Sequence, residues 1–222
     1  MGISERRERE KVERRKTILN CARELILSQG VDRVGMEDIA RKAELSKATL
    51  YLYFPGKEVL FNEICEEAAR VFLEHIKPLL ERCPTGIAAL KCFWHTYMEM
   101  FGSSDEMIII FQVRNSLNPG MSFISLEKQS KSPYTDTVLE AIKNIIDQCK
   151  SEGVFDPKLD SMQATHLLLS IFSVVVNSAV RIPPEARKSP AIVGEMAKSF
   201  QIIIYGFARE GIDRSCLDIM SA

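Results

Sequence analysis

Nowhere in its 222 residues does the chain hold an uninterrupted apolar run of the ~18 residues that a membrane span requires. The longest, Leu167 to Val176, is broken by Ser170 and Ser173, so an integral membrane protein is excluded and no membrane partner is expected. A C-x-x-C pair is also missing. The six cysteines, at 21, 65, 83, 92, 149 and 216, are scattered through a chain long enough to bury an ordinary core, which predicts reduced thiols packed as small apolar side chains. There is no phosphate-cradling Gly-rich loop, no internal repeat and no low-complexity tract. His75, His95 and His166 have no local Ser, Cys or Asp arrangement that suggests a triad. Cys92 and His95 share a helix face, but a zinc site needs about four ligands and no second pair has suitable spacing. The expectation is therefore no catalytic residue, no metal and no cofactor. The basic run from Arg6 to Lys16 has no apolar stretch behind it, so no secretory signal is read and a cytoplasmic location is expected.

What is present is the profile of a globular protein, with 46% hydrophobic and 27% charged residues, and it rules out a disordered or collagen-like chain. The net charge of −1 conceals an asymmetry. Residues 1–57 hold 13 Lys/Arg against 9 Asp/Glu, and the other 165 hold 16 against 21. A basic head on an acidic body points to a polyanion at the head. In the first 16 residues Glu5, Glu8, Glu10 and Glu13 interleave with the cations, which favours a solvated helix with i,i+4 pairs over an arm reaching into DNA.

Nearly every segment has helical period, and the chain reads as all-α with about nine helices. Ile18, Leu19, Ala22, Leu25 and Ile26 form one stripe that Gly30 terminates. A two-turn helix from Met36 to Ala43 is followed by a break at Glu44-Leu45-Ser46. Ser46 can then cap a second short helix over Lys47 to Tyr53, which Pro55-Gly56 ends. Two short helices behind a longer one are the layout of a helix-turn-helix, with Ile39, Ala40, Ala43, Leu45 and Leu50 as its core. From Lys57 the pattern changes to long helices: Lys57 to about Leu80, Thr85 to Phe101, Asp105 to Leu117, one of roughly 20 residues or more ending near Gly153, about Pro157 to Arg181, and about Pro190 to Arg209. The chain divides accordingly into a head, residues 1–56, and a body, residues 57–222.

A helix reads DNA only if it fits the major groove, offers short side chains at closest approach and is pinned by phosphates at its flanks. The second short helix meets those demands. Lys47 and Thr49 are donors near its start, Ala48 has no bulk, Leu52 can touch a thymine methyl, and Tyr51 and Tyr53 can reach phosphates. Lys57 opens the next helix, where a cation and free backbone N–H groups can hold another phosphate.

Here the sequence resembles the TetR family of bacterial transcriptional regulators. The likeness is carried by Asp38-Ile39-Ala40, by the turn Ala43-Glu44-Leu45-Ser46, by Ser46-Lys47-Ala48-Thr49-Leu50-Tyr51-Leu52-Tyr53-Phe54 and by Lys57-Glu58, over about residues 16–65. The resemblance implies a three-helix DNA-binding head on a helical ligand-binding and dimerisation body. Two departures stand out. Val34-Gly35 replace the family's Thr-Thr, so Gly35 caps through its backbone and offers no hydroxyl to a phosphate. Glu44 replaces a turn glycine, which predicts a non-glycine at positive φ.

One head of this size buries little DNA, and such heads work as symmetric pairs on half-sites about 34–36 Å apart. The last two long helices offer an apolar surface for a homodimer, with Leu167, Ile171 and Val174 on the first and Phe200, Ile203 and Phe207 on the second. The resemblance implies a four-helix bundle made by two such pairs. Phe93, Trp94, Tyr97, Met98, Phe101 and Phe111, with Met107, Met121 and Phe123 nearby, suit a small, largely apolar effector, although residues at this spacing also build cores. The expected protein is a homodimeric repressor that an apolar small molecule releases from a double-stranded DNA operator. The rival is an all-α enzyme or a helical scaffold whose basic head is incidental.

Overall fold

A computed structural model describes residues 2–103, 105–117, 133–179, 182, 184–187 and 189–218. Nine helices of seven residues or more carry them: α1 (Ile3–Gln29), α2 (Met36–Lys42), α3 (Lys47–Tyr53), α4 (Lys57–Leu80), α5 (Gly86–Ser103), α6 (Glu106–Leu117), α7 (Pro133–Ser151), α8 (Ser161–Ala179) and α9 (Pro190–Phe207). A single turn at Pro184–Arg187 and two 3-10 turns, Val31–Arg33 and Arg214–Leu217, complete the list. The only β pairing among the described residues is an isolated bridge between Phe155 and Ala208. No helix among them is long and apolar enough to cross a membrane.

Local chemistry sets most of the helix ends. Gly30 adopts φ 84° and its N–H closes α1 on the Ile26 carbonyl at 2.9 Å. The Ser46 hydroxyl accepts the Thr49 N–H at 3.0 Å and so caps α3, as its sequence position predicts. α2 starts without a hydroxyl at Gly35. The Asp38 carboxylate instead reaches back to the Gly35 N–H at 3.1 Å, which supplies half of a capping box. α8 begins at Ser161 and not at Pro157, because the Asp160 carboxylate accepts the Gln163 N–H at 2.9 Å and fixes the start there.

Two apolar cores form. The first gathers Ile18, Leu19, Ala22 and Ile26 of α1 with Ile39, Ala40, Ala43, Leu50 and Phe54, and it draws in Leu60, Phe61, Ile64 and Cys65 of α4 and Ile109 and Val113 of α6. The second, larger core joins Phe72 and Ile76 of α4 to α5, α7, α8 and α9, and includes Ile108 of α6. α4 and α6 therefore have side chains in both cores. A polar tie reinforces this, since the Ser116 hydroxyl at the end of α6 donates to Asp32 in the 3-10 turn of the head at 2.9 Å.

Two backbone positions are tightly constrained. Glu44, in the turn between α2 and α3, has φ 55°, the left-handed conformation that the resemblance implies there. At Gly86, a Cβ would lie 2.7 Å from both the Cys149 nitrogen and its sulfur, so α5 can pack on α7 only because this residue has no side chain. Replacing Glu44 with glycine should raise stability by about 0.5–1 kcal/mol, and Gly86→Ala should lower it by about 1–3 kcal/mol through overpacking. Urea unfolding of the two variants should shift the midpoint in opposite directions.

Candidate nucleic-acid interface

α3 is amphipathic over only seven residues. Leu50 faces the head core, while Lys47 and Ala48 are exposed, Tyr51 is 41% exposed and Leu52 84% exposed. Thr49 is half-buried, its hydroxyl 2.7 Å from that of Ser46. Lys47, Ala48, Tyr51 and Leu52 thus form a convex ridge, and a seven-residue helix is narrow enough to enter the ~12 Å major groove.

The charges on this ridge are partly committed within the chain. The Lys47 ammonium donates to the Glu37 carboxylate of α2 at 2.5 Å. That bond raises the lysine pKa and lowers that of the glutamate. Because both groups are exposed, a phosphate or a base edge can compete for the lysine at little cost. Lys57 was expected to offer its cation to a phosphate. Its ammonium instead turns inward, donating to the Val31 carbonyl at 3.1 Å and lying 5.0 Å from the Phe61 ring centroid. The half-buried lysine thereby donates to a carbonyl of the turn after α1.

A residue that the sequence reading passed over holds the interface in place. Arg15 of α1 donates through Nε to Glu63 of α4 at 2.7 Å, and through Nη2 to the other oxygen of the same carboxylate. Its Nη1 donates to the Tyr53 carbonyl at the end of α3, 2.7 Å away, and the guanidinium lies 4.1 Å from the Phe54 ring centroid. The hydrogen bond to Glu63 raises the arginine pKa. One planar group thus links three helices and satisfies a carbonyl that the end of α3 leaves open. In the sequence Arg15 is one of seven cations in a charged run, and nothing local distinguishes it. Tyr53 is half-buried against the head core beside it. Residues 4–14 of α1 are exposed, with an Arg6–Glu10 pair at 2.8 Å.

In the body, Phe93, Trp94, Tyr97 and Phe101 are all buried and Met98 is half-buried against them. Trp94 stacks on Phe200 with centroids 4.7 Å apart, and Phe93 meets Phe72 edge-on at 5.5 Å. Desolvation holds the Tyr97 hydroxyl protonated well above its ordinary range. These side chains are therefore packed into the core, so an effector among them must displace core contacts. Met121 and Phe123 lie outside the described residues, as do the side chains of Met107 and Phe111. A surface cleft of about 380 Å³ between α1 and α4, lined by Lys16, Asn20, Arg23, Glu67, Ala68, Arg70 and Val71, does not correspond to any expected site.

The expected dimer face needs a correction. Phe200, Ile203 and Phe207 point into the core of their own subunit, where Phe200 stacks on Trp94 and Phe207 meets Phe155 edge-on at 5.7 Å. The outward apolar residue of α9 is Ile202, 70% exposed. On α8, Leu167 and Val174 are 46% and 64% exposed on one stripe, and Ile171 is half-buried against the core. On α9 the sequence pattern picked the side that packs inside its own subunit, because a helix apolar around most of its girth does not reveal which stripe its own subunit takes.

Residues 18–64 match the family model described as bacterial regulatory proteins, tetR family. A curated relative, the uncharacterized HTH-type transcriptional regulator YvdT of Bacillus subtilis (strain 168), is 38% identical over 60 residues, which are 27% of this chain and 31% of YvdT. The fatty acid metabolism regulator protein of the same organism is 23% identical over 137 residues, or 62% of this chain and 66% of that protein. The match thus spans less than a third of the first relative's length and just under two thirds of the second's. Among solved structures, the transcriptional regulator FadR from Bacillus subtilis in complex with stearoyl-CoA aligns with a TM-score of 0.66 at 17% identity, covering 89% of this chain and 99% of that one. At that identity the alignment speaks for the fold, and the fold extends over head and body alike.

If Arg15 positions α3, Arg15→Gln and Glu63→Gln should each destabilise the head by about 1–2 kcal/mol, the range for a hydrogen bond to a charged group discounted for partial exposure. The double variant should cost less than the sum of the two. Denaturant titration of the three variants checks this, and full additivity would refute the assignment.

Proposed function

We infer, since this chain by its head belongs to the tetR family of DNA-binding transcriptional regulators, that it is a homodimeric repressor released from its operator by a largely apolar acyl compound. Residues 1–56 form the reading head and residues 57–222 the sensing and pairing body. The observation that carries this reading is an exposed seven-residue helix whose rear is tied to α4, a helix with side chains in both cores.

Lys47, Ala48 and Thr49 face base edges, with Leu52 against a thymine methyl. Tyr51 and Tyr53 hold phosphates at the flanks, and Lys57 joins them once it leaves Val31. Pairing through Leu167, Val174 and Ile202 sets two α3 helices one helical turn of DNA apart. An effector that enters among Phe93, Trp94, Tyr97 and Phe101 rearranges contacts that Phe72 and Ile76 share, and so biases the tilt of α4. A change of a few ångströms in head spacing is enough to prevent both heads from docking at once. Support for an acyl effector comes from the fold shared with a regulator solved with stearoyl-CoA, and from the likeness to a fatty acid metabolism regulator.

A duplex selected from a random-sequence library by the purified protein supplies the test. Affinity for it should fall steeply with salt, with a log–log slope of about −0.9 per phosphate contact. Lys47→Ala and Tyr51→Phe should each weaken binding about tenfold without changing the circular dichroism spectrum. Unchanged affinity in both would mean that α3 is not the reading helix. Stearoyl-CoA should dissociate the complex, and a complex that persists at saturating ligand argues against an acyl effector. For the pairing surface, Ile202→Asp or Val174→Arg should yield folded monomers in sedimentation and lower operator affinity by at least about tenfold. A dimer that survives both substitutions would place the interface elsewhere.

A further inference from the structure

α4 passes from the head core to the body core between Cys65 and Phe72, and Ala68, buried in that stretch, belongs to neither core. The cleft of about 380 Å³ opens at this crossing, with Lys16, Asn20 and Arg23 supplied by α1 and Glu67, Ala68, Arg70 and Val71 by α4. Three cations and one carboxylate therefore line it. α4 as a whole has the opposite balance, with Glu58, Glu63, Glu66, Glu67 and Glu74 against Lys57, Arg70 and Lys77, so the positive lining is particular to the cleft. A concave surface lined mainly by one sign of charge concentrates ligands of the other sign.

Arg23 is held in place by the cleft's own residues. Its Nη2 donates to Glu67 at 2.7 Å and its Nη1 to Asn20 at 3.2 Å, and its side chain is 15% exposed. Glu67 is thus matched by Arg23, and Lys16 and Arg70 are the surplus charges. Lys16 is exposed and has no ion-pair partner among the described residues. Arg70 donates to Glu74 of its own helix at 2.8 Å, in an exposed i,i+4 pair that an anion can displace at little cost. Ala68 and Val71, the latter 47% exposed, give the lining an apolar part.

We propose that this cleft binds a small organic phosphate, its phosphoryl group held by Lys16 and Arg70 and its apolar part laid on Ala68 and Val71, and that occupancy changes operator affinity. The second half rests on the operator reading given above, and the first half does not. Two surplus cations match a phosphate monoester, which carries about −1.5 to −2 charges at pH 7 and three strong acceptor oxygens, better than a carboxylate with one charge. A phosphodiester of the DNA backbone also carries one charge, and it has no use for a concave apolar wall. The volume lies at the small end of the range for ligand sites, about 300–1,000 Å³, which suits a compact molecule. Coupling follows from where the two cations come from. Lys16 belongs to α1 and Arg70 to α4, so one phosphoryl group engages both at only one spacing of the two helices, and the bound state favours that spacing. Since α1 and the start of α4 share the head core, the choice of spacing biases the tilt of the reading helix.

The test is calorimetric titration of the full-length protein, in a phosphate-free buffer of low ionic strength, with phenyl phosphate as the probe and with inorganic phosphate and phenol as its two halves. Phenyl phosphate should bind once per chain with a Kd below about 1 mM, and each half should bind at least about fivefold more weakly. Lys16→Ala/Arg70→Ala should weaken the probe about tenfold or more, while Lys158→Ala/Lys198→Ala, which removes two exposed cations elsewhere, should not. Arg23 is left in place because its bond to Glu67 ties α1 to α4. No saturable binding, or equal loss in both double variants, overturns the site, and inorganic phosphate binding as tightly as the probe overturns its organic half. The saturated protein should bind the duplex selected by the free protein with an affinity changed about fivefold or more, and Lys16→Ala/Arg70→Ala should abolish that response. The same variant should leave the log–log salt slope of duplex binding unaltered, and a slope shallower by about 0.9 or more would assign the cleft to a DNA phosphate instead. Probe binding with unaltered duplex affinity refutes the coupling and leaves the operator reading intact. A protein that selects no duplex defeats that reading and the coupling with it, while the calorimetry still decides the site.

Discussion

The presentation of α3 depends on the clasp that Arg15 makes with Glu63 and the Tyr53 carbonyl. A seven-residue helix has almost no stability of its own in water, because its nucleation cost is spread over too few hydrogen bonds. It persists here because Leu50 and the adjoining Phe54 are buried in the head core, Ser46 closes its start, and the Arg15 guanidinium answers the carbonyl at its end. The clasp also decides direction. It fixes the end of α3 against α4, so the face that carries Lys47, Ala48, Tyr51 and Leu52 cannot rotate into the protein.

The same clasp makes the head mechanically continuous with the body. α4 leaves the head core at Cys65 and enters the body core by Phe72, within one uninterrupted helix, and α6 runs beside it with Ile109 and Val113 in one core and Ile108 in the other. Packed interiors resist continuous deformation and tend to switch between discrete arrangements. In the proposed mechanism, a change among the aromatic side chains around Trp94 reaches the head as a change in helix tilt. The coupling needs no dedicated pathway beyond a helix whose two ends are buried in different places.

The local features of the head were legible from the residues alone. The Ser46 cap, the Gly30 stop and the burial of Ile39 and Leu50 follow from short-range stereochemistry and from one stripe of apolar side chains, while the positive φ at Glu44 was implied by the family resemblance. Arg15 was not legible, because its partners are 38 and 48 residues away and its neighbours in sequence are cations that look the same. The direction in which Lys57 turns was not legible for a related reason. A cation at a helix start suits a phosphate, but it suits the Val31 carbonyl equally well, and only folding brings that carbonyl within reach. In α9 the apolar residues are so numerous that the sequence pattern could not separate the side facing Trp94 from the side bearing Ile202.

By itself, then, the sequence determined the all-α character, the boundaries of the short helices and the outward residues of α3, because helical period, caps and turn stereochemistry act over a few residues. Tertiary structure decided which cations stay at the surface and which turn inward, and which stripe of α9 remains outside. Those outcomes depend on groups far apart in the chain competing for the same carbonyl, carboxylate or apolar surface. Such a competition is settled only once every helix has taken its place.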